Sequence, residues 1–153
     1  MYDLNLLDSK GNVPDTSGLN WGQSSTNHTR RDDAYIAIRT NDINSTLNLF
    51  RPLPMSTSGS PSRRNEPISV KWDDGTTMTM LFEGSQEING EEYPKQLSSC
   101  PNKNTLGEYL KSRLQVSLGE IVTKEHLKNY GRTNISIDLS NDIGIDYILD
   151  FSI

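Results

Sequence analysis

The chain is 153 residues long, with 33% hydrophobic residues, 7% aromatic residues and a net charge of −5. That length suits one domain around one core. The mean hydropathy of −0.63, with no apolar run near the roughly 20 residues of a membrane span, excludes a transmembrane helix, and the acidic balance argues against indiscriminate polyanion binding.

The charge is unevenly spread. Residues 28–71 hold seven basic against four acidic side chains, a net +3 that leaves −8 for the rest, so one face can still be basic. No secretory leader opens the chain and Cys100 has no second cysteine to pair with, which fits a reducing cytoplasm. The three sequons at Asn27, Asn44 and Asn134 then read as chance matches.

In chain order, the first feature is the polar projection 21–33 (WGQSSTNHTRRDD), which has no aliphatic residue. A strand is expected over 34–39 (AYIAIR), then a Pro- and Ser-rich loop over 54–67. Strands at 68–72 (ISVKW) and 76–82 (TTMTMLF) flank Asp74-Gly75, a pair that tolerates positive φ and predicts a tight hairpin. A second projection, 83–96 (EGSQEINGEEYPKQ), carries its own turn signal at Asn89-Gly90. A helix over 105–114 follows, with a capping box Thr105-x-x-Glu108 and Leu106, Tyr109, Leu110 and Leu114 on one face. A second helix over 123–130 has Thr123 as its cap and Gly131 as its stop. Strands at 133–139 and 146–151 complete the chain. Core residues are expected at Tyr35, Trp72, Phe82, Tyr109, Leu110, Leu127, Tyr147 and Phe151. Two short helices among at least six strands predict a mainly β barrel or strongly bent sheet.

Catalytic signals are weak. His126-Leu127-Lys128 matches half of the phospholipase-D pattern His-x-Lys-x4-Asp, but Thr133 stands where the acid belongs. The carboxylate pairs Asp32-Asp33, Asp73-Asp74 and Glu91-Glu92 are sequence neighbours, and neighbours in a strand point to opposite sides rather than facing across a cleft. Metal-ligand spacing, a phosphate loop and a nucleophile elbow are all missing, so neither catalysis nor a cofactor is expected. The two projections instead mix Arg, Asn, Gln and carboxylate, the chemistry that reads base edges: Arg forks onto guanine, Asn and Gln chelate adenine, and carboxylates accept from the cytosine amino group. The stretch 98–104 (SSCPNKN) puts helix N-terminal amides beside a lysine, which suits a phosphate.

Six strings in order give the chain a resemblance. They are Ser17-Gly18-Leu19-Asn20-Trp21-Gly22, Asp33-Ala34-Tyr35-Ile36, Asp73-Asp74-Gly75, Leu106-Gly107-Glu108-Tyr109-Leu110 with Arg113-Leu114, Tyr130-Gly131-Arg132-Thr133, and Leu149-Asp150-Phe151-Ser152. Together they resemble the C-terminal target-recognition domain of bacterial type II restriction endonucleases whose N-terminal half is a phospholipase-D-like nuclease. Two positions depart from that pattern: Ala37 stands where a proline is expected, and Gln115 where a glycine is. The resemblance implies a B3-like pseudobarrel, the fold also used by plant B3 transcription factors, spanning residues 1–153 as a single domain without its nuclease half. It also implies a bacterial, cytoplasmic restriction–modification context and two arms that grip duplex DNA in the major groove.

On motif order the arms are 21–33 and 83–96. Base reading is expected from Gln23, Ser24, Asn27, His28, Arg30, Arg31 and Asp32 on the first arm. On the second it is expected from Ser85, Gln86, Glu87, Asn89 and Gln96. Phosphate contacts are expected from Ser25, Arg63, Arg64, Lys95, Asn102, Lys103 and Asn104. Trp21 is expected to pack where the first arm leaves the barrel. The expected partners are a short specific duplex and, in the parent enzyme, the nuclease half; the lone domain reads as a monomer. The competing reading is a non-nucleic β-barrel module for carbohydrate or a protein partner.

Overall fold

A computed structural model of the chain describes residues 1–25, 28–53 and 66–153. Its main feature is a seven-stranded sheet, ordered β1-β8-β9-β3-β4-β7-β2. The strands are β1 (Tyr2–Asn5), β2 (Ile36–Ala37), β3 (Ile68–Trp72), β4 (Thr77–Glu83), β7 (Gln96–Ser99), β8 (Asn134–Leu139) and β9 (Tyr147–Asp150). A separate ribbon pairs β5 (Gln86–Ile88) with β6 (Glu91–Tyr93). The helices are α1 (Thr40–Asn44), α2 (Asn104–Leu114) and α3 (Lys124–Tyr130), with a 3-10 helix at Gly18–Gln23. None is long and apolar enough among the described residues to cross a membrane.

The sheet curls until its edges nearly meet. A guanidinium spans the seam between edge strands β1 and β2: Arg39, just past β2, donates from Nη1 to the Asn5 carbonyl (3.1 Å) and from Nη2 to the Leu7 carbonyl (3.0 Å). Asp42 shortens β2 to two residues where the sequence suggested six. Its carboxylate takes the Arg39 N–H (2.8 Å) and the Tyr2 hydroxyl (2.7 Å), turning the chain into α1, a third helix that the sequence pattern did not announce.

The apolar alternation of β1, β3, β4, β8 and β9 points inward. Leu4, Val70, Met80, Leu97, Leu106, Leu127, Ile135, Ile137, Leu149 and Phe151 are fully buried, with Trp72 1% and Leu110 2% exposed. Of the expected core residues, Tyr35, Phe82 and Tyr109 are only half-buried.

Both turn signals form, in different ways. Asn89 (φ 53°) and Gly90 (φ 81°) are both left-handed between Ile88 and Glu91, the two-residue hairpin expected. At 73–75 only Gly75 (φ 89°) is left-handed, because Trp72 N–H bonds to the Thr76 carbonyl (2.8 Å) and Asp74 Oδ1 takes the Thr76 N–H (2.9 Å), giving a three-residue loop.

Helix α2 starts one residue early and lacks the expected box. Ser99 of β7 caps it across the chain, its Oγ accepting from the Leu106 N–H at 2.8 Å. Helix α3 is capped as expected by Thr123 and ends at Gly131 (φ 111°).

One arginine ties the bottom of the barrel together. Arg113 of α2 forks onto Asp73 (2.7 and 2.8 Å) and donates to the Tyr109 hydroxyl (3.0 Å), the Tyr130 hydroxyl (2.9 Å) and the Phe151 carbonyl (3.1 Å). Burial would raise the Asp73 carboxyl, but Arg113 and the Phe151 N–H outweigh it and hold the group below the usual carboxylate range.

Candidate nucleic-acid interface

The two projections flank the short β2–β7 pairing. The first runs into β2 and the second into β7, which lie antiparallel in the register Ile36↔Leu97 and Ala37↔Gln96. Antiparallel pairing brings the two segments in from opposite ends of that contact.

The first arm leaves the 3-10 helix and returns through a tight turn at 30–33. Asp33 closes it, accepting the Arg30 N–H on its carboxylate (2.8 Å) and donating its own N–H to the Arg30 carbonyl (3.1 Å). Asp32 takes φ 68°, a left-handed conformation that Asp tolerates better than most residues. The turn sorts the charges of Arg30-Arg31-Asp32-Asp33. Asp32 and Asp33 are 3% and 5% exposed, while His28, Arg30 and Arg31 face solvent.

Two glycines make room for the return. A Cβ on Gly22 would lie 2.6–2.8 Å from backbone atoms of Arg30, Asp32 and Asp33, and one on Gly107 would lie 1.7 Å from the Asp32 carbonyl oxygen. The root of the arm is thus pressed between the 3-10 helix and α2. At the same root Trp21 is half-buried, meets Tyr35 edge-on (centroids 5.3 Å apart) and lies under Lys103 Nζ (5.7 Å), the packing role expected of it.

Asp32 does not belong among surface readers. Its Oδ1 accepts from Lys111 Nζ (2.6 Å) and from the Gly119 N–H (2.8 Å), which fixes the carboxylate inside the fold. Burial would raise this carboxyl, but Lys111, the Gly119 N–H and Arg31 prevail and hold it below the usual range. Gln23 is exposed and leans on the same loop, Nε2 donating to the Gly119 carbonyl at 2.9 Å. Ser24 is half-buried and Ser25 exposed.

The second arm is the β5–β6 ribbon. Gln86, expected to read bases, is instead its anchor: Nε2 donates to the Ile38 and Pro94 carbonyls (2.9 Å each) and Oε1 accepts from Thr40 Oγ1 (3.0 Å). These bonds take both N–H donors and one acceptor site of its carboxamide, and the ribbon face carrying Gln86, Ile88 and Tyr93 packs inward. Period-2 alternation therefore turns Glu87 and its cross-strand partner Glu92 to the other face. Asn89 sits exposed at the tip, Lys95 is exposed, and Ser85 and Gln96 are half-buried near the root.

The expected phosphate residues gather only in part. His28, Arg30 and Asp33 of the first arm line a shallow hollow of about 220 Å³ together with Pro101, Asn102, Lys103 and Asn104 at the start of α2. Two of the helix N-terminal amides expected to suit a phosphate are taken, since Thr105 N–H bonds to the Asn102 carbonyl and Leu106 N–H to Ser99. Lys103 pairs with Glu83, linking the start of α2 to the root of the second arm. Asn27, Arg63 and Arg64 lie outside the described residues.

Sequence reasoning missed Lys111, Gly22, Gly107 and Gly119, which hold the first arm. A signal existed: Gly107, Lys111 and Leu114 lie at i, i+4 and i+7 on α2, which puts a lysine on a buried face. No group of three or more His, Cys, Asp or Glu among the described residues could hold a metal ion.

Comparison with the curated proteins found no match. The family model of the NgoFVII C-terminal B3-like DNA-binding domain matches residues 1–141, and β9, just beyond that match, completes the same sheet between β8 and β3. A nearly closed, mainly β pseudobarrel, matched over most of its length, is thus a DNA-binding domain, and the chain belongs to the family of the NgoFVII C-terminal B3-like DNA-binding domain.

Proposed function

We propose that the chain recognises a short specific sequence in duplex DNA, reading bases in the major groove with both arms. It would act as the target-recognition module of a bacterial restriction endonuclease whose nuclease half carries the chemistry. The observation that carries this reading is the sorting of charge in the first arm: its two carboxylates are buried and bonded while His28, Arg30 and Arg31 point outward. An acidic chain thereby presents a locally cationic surface.

Arg30 and Arg31 are the guanine readers, with Gln23, Ser24, Asn27 and His28 beside them. Glu87 and Asn89 on the second arm face cytosine and adenine amino groups, with Ser85 and Gln96 nearer the root. Ser25, Lys95, Asn102, Lys103 and Asn104, with Arg63 and Arg64, set the register on phosphates. The domain works as one unit and as a monomer. The exposed Glu87 carboxylate on the second arm is repelled by phosphates, so this arm penalises non-specific contact and engages where an amino donor meets it.

Selection from a random duplex library at about 150 mM salt, repeated at lower salt, tests the proposal. Enrichment of one short motif at the higher salt is the expected result. Binding that occurs only at low salt and without a motif would reduce the chain to a weak polyanion binder and defeat the reading.

A further inference from the structure

Arg31 and Asp32 are neighbours with opposite surroundings: the Arg31 side chain is 69% exposed, that of Asp32 1%. Asp32 Oδ1 is held by Lys111 Nζ and the Gly119 N–H, and Lys111, itself 4% exposed, gives a second hydrogen bond to the Glu120 carbonyl (2.6 Å). Asp32 Oδ2 is buried and accepts no hydrogen bond among the described residues, while Arg31 Nε stands 3.3 Å away. Buried polar atoms are nearly always bonded, and an exception calls for a cause. Here the carboxylate cannot move to find a partner, because its backbone is pressed between Gly22 and Gly107. The stem of Arg31 runs beside Gly119, where an added Cβ would lie 3.3 Å from Arg31 Cδ. Nε thus lies beside the buried Oδ2 while the Arg31 side chain as a whole is exposed to solvent.

We propose that Lys111, Asp32 and Arg31 form a relay that aims one base-reading arginine. Lys111 and the Gly119 N–H fix the carboxylate, and Oδ2 takes the Arg31 Nε–H when DNA is bound. The Nη1 and Nη2 fork is thereby set for the O6 and N7 acceptors of a guanine. Lys111 and Asp32 are positioning residues; Arg31 alone touches the base. This inference deepens the proposed DNA reading and rests on it. Support from the surroundings of a reading group matters because an unsupported exposed arginine loses side-chain entropy on docking and fits more than one base.

The test is selection on a random duplex library with the full chain and four variants: Arg31→Ala, Arg31→Lys, Lys111→Met and Asp32→Asn. Arg31→Ala identifies the guanine position by erasing its preference, about five- to hundredfold. Arg31→Lys keeps the charge but has neither fork nor Nε–H, and it is expected to lose the same position. Lys111→Met and Asp32→Asn are expected to relax that position and no other, and Lys111→Met to leave the salt slope unchanged, because no phosphate contact is removed. A merely structural role would weaken every position together.

The relay is overturned if Arg31→Lys retains the guanine preference, or if Lys111→Met relaxes all positions alike or a different one. If the unaltered chain enriches no motif, the proposed function fails instead, so the two failures are distinguishable. Should Lys111→Met not fold, Asp32→Asn with Lys111→Met removes both buried charges and carries the same comparison. Asp32→Asn alone, which keeps the shape of the buried side chain, decides the question should that variant fail too: an unchanged guanine preference overturns the relay.

Discussion

Gly107→Ala sets two well-known effects against each other. Gly107 lies inside α2, where alanine is favoured over glycine by about 1 kcal/mol on helix propensity alone. Its Cα faces the return of the first arm, and the added Cβ would sit 1.7 Å from the Asp32 carbonyl oxygen, 2.9 Å from the Asp32 carbonyl carbon and 3.3 Å from Ala34 Cβ. Relief needs one backbone to move by about 1.5 Å to restore ordinary carbon–oxygen contact, and both are held. Leu106 (0%) and Leu110 (2%) lock α2 into the core, while Asp32 is tied to Lys111 and Gly119. Overpacking of this kind costs about 1–3 kcal/mol and more when backbone is the obstacle, so the steric effect wins. The expected net loss is about 2 kcal/mol or more, a fall in Tm of roughly 4–8 °C for a domain of this size. Urea and thermal unfolding of Gly107→Ala beside Ser112→Ala, an exposed site on the same helix, separate the contributions. Ser112→Ala should stabilise by a few tenths of a kcal/mol or be neutral. A Gly107→Ala protein as stable as the parent would show that α2 and the arm root are not pressed together, and the account of a fixed first arm would fall with it.

Other consequences are equally direct. Arg113→Lys keeps the charge but loses the fork onto Asp73 and the reach to Tyr130 and Phe151; we expect a loss of about 2 kcal/mol in urea unfolding. Asp73, Asp32 and Asp150 all have depressed carboxyl pKa values, Asp150 through the Ser152 hydroxyl and N–H. A depressed folded pKa gives stability that is complete above the unfolded value of about 3.9 and disappears as pH falls through the folded one. Stability should therefore be flat from neutral pH to about 5 and decline below about 4, with Asp73→Asn reducing the acid dependence in a pH series of unfolding curves. Lys95→Ala, if Lys95 holds a phosphate, should weaken all duplexes alike and lower the slope of log K against log salt by about 0.9; a change of preferred sequence at constant slope would move Lys95 to the reading group.

Legibility in the sequence followed the range of the forces involved. Strands with strong alternation or a nearby turn signal stand within a residue of where the pattern puts them, 68–72 as expected and 77–83 for an expected 76–82, because side-chain period and turn chemistry are local. Strands β1 and β7 were not legible: YDLN and QLSS carry little apolar signal, and Ser98 and Ser99 are buried because their hydroxyls bond to the Ala34 and Asn102 carbonyls. The projections could be located as polar stretches, but which of their side chains face outward could not. Asp32 and Gln86 have the chemistry of readers and the contacts of anchors, and that difference is set by Lys111, 79 residues away, and by Ile38 and Thr40, 48 and 46 away. Composition cannot distinguish a carboxylate facing solvent from one facing a buried ammonium.

Strand β9 has a consequence for how the molecule is made. It lies between β8 and β3, parallel to β3, yet it follows every other strand in the chain. Until residues 147–150 have left the ribosome, β3 and β8 each keep an open edge, and Val70 waits for a partner at Tyr147. The pairings β1–β8, β2–β7 and β3–β9 join segments far apart in the chain, which favours slow folding. During that wait the exposed edges can pair with the same edges of another nascent copy. Crowded polysomes are then where this domain is most prone to aggregate, and a chain interrupted before β9 should be recovered from cells as inclusion bodies rather than as a weaker DNA binder.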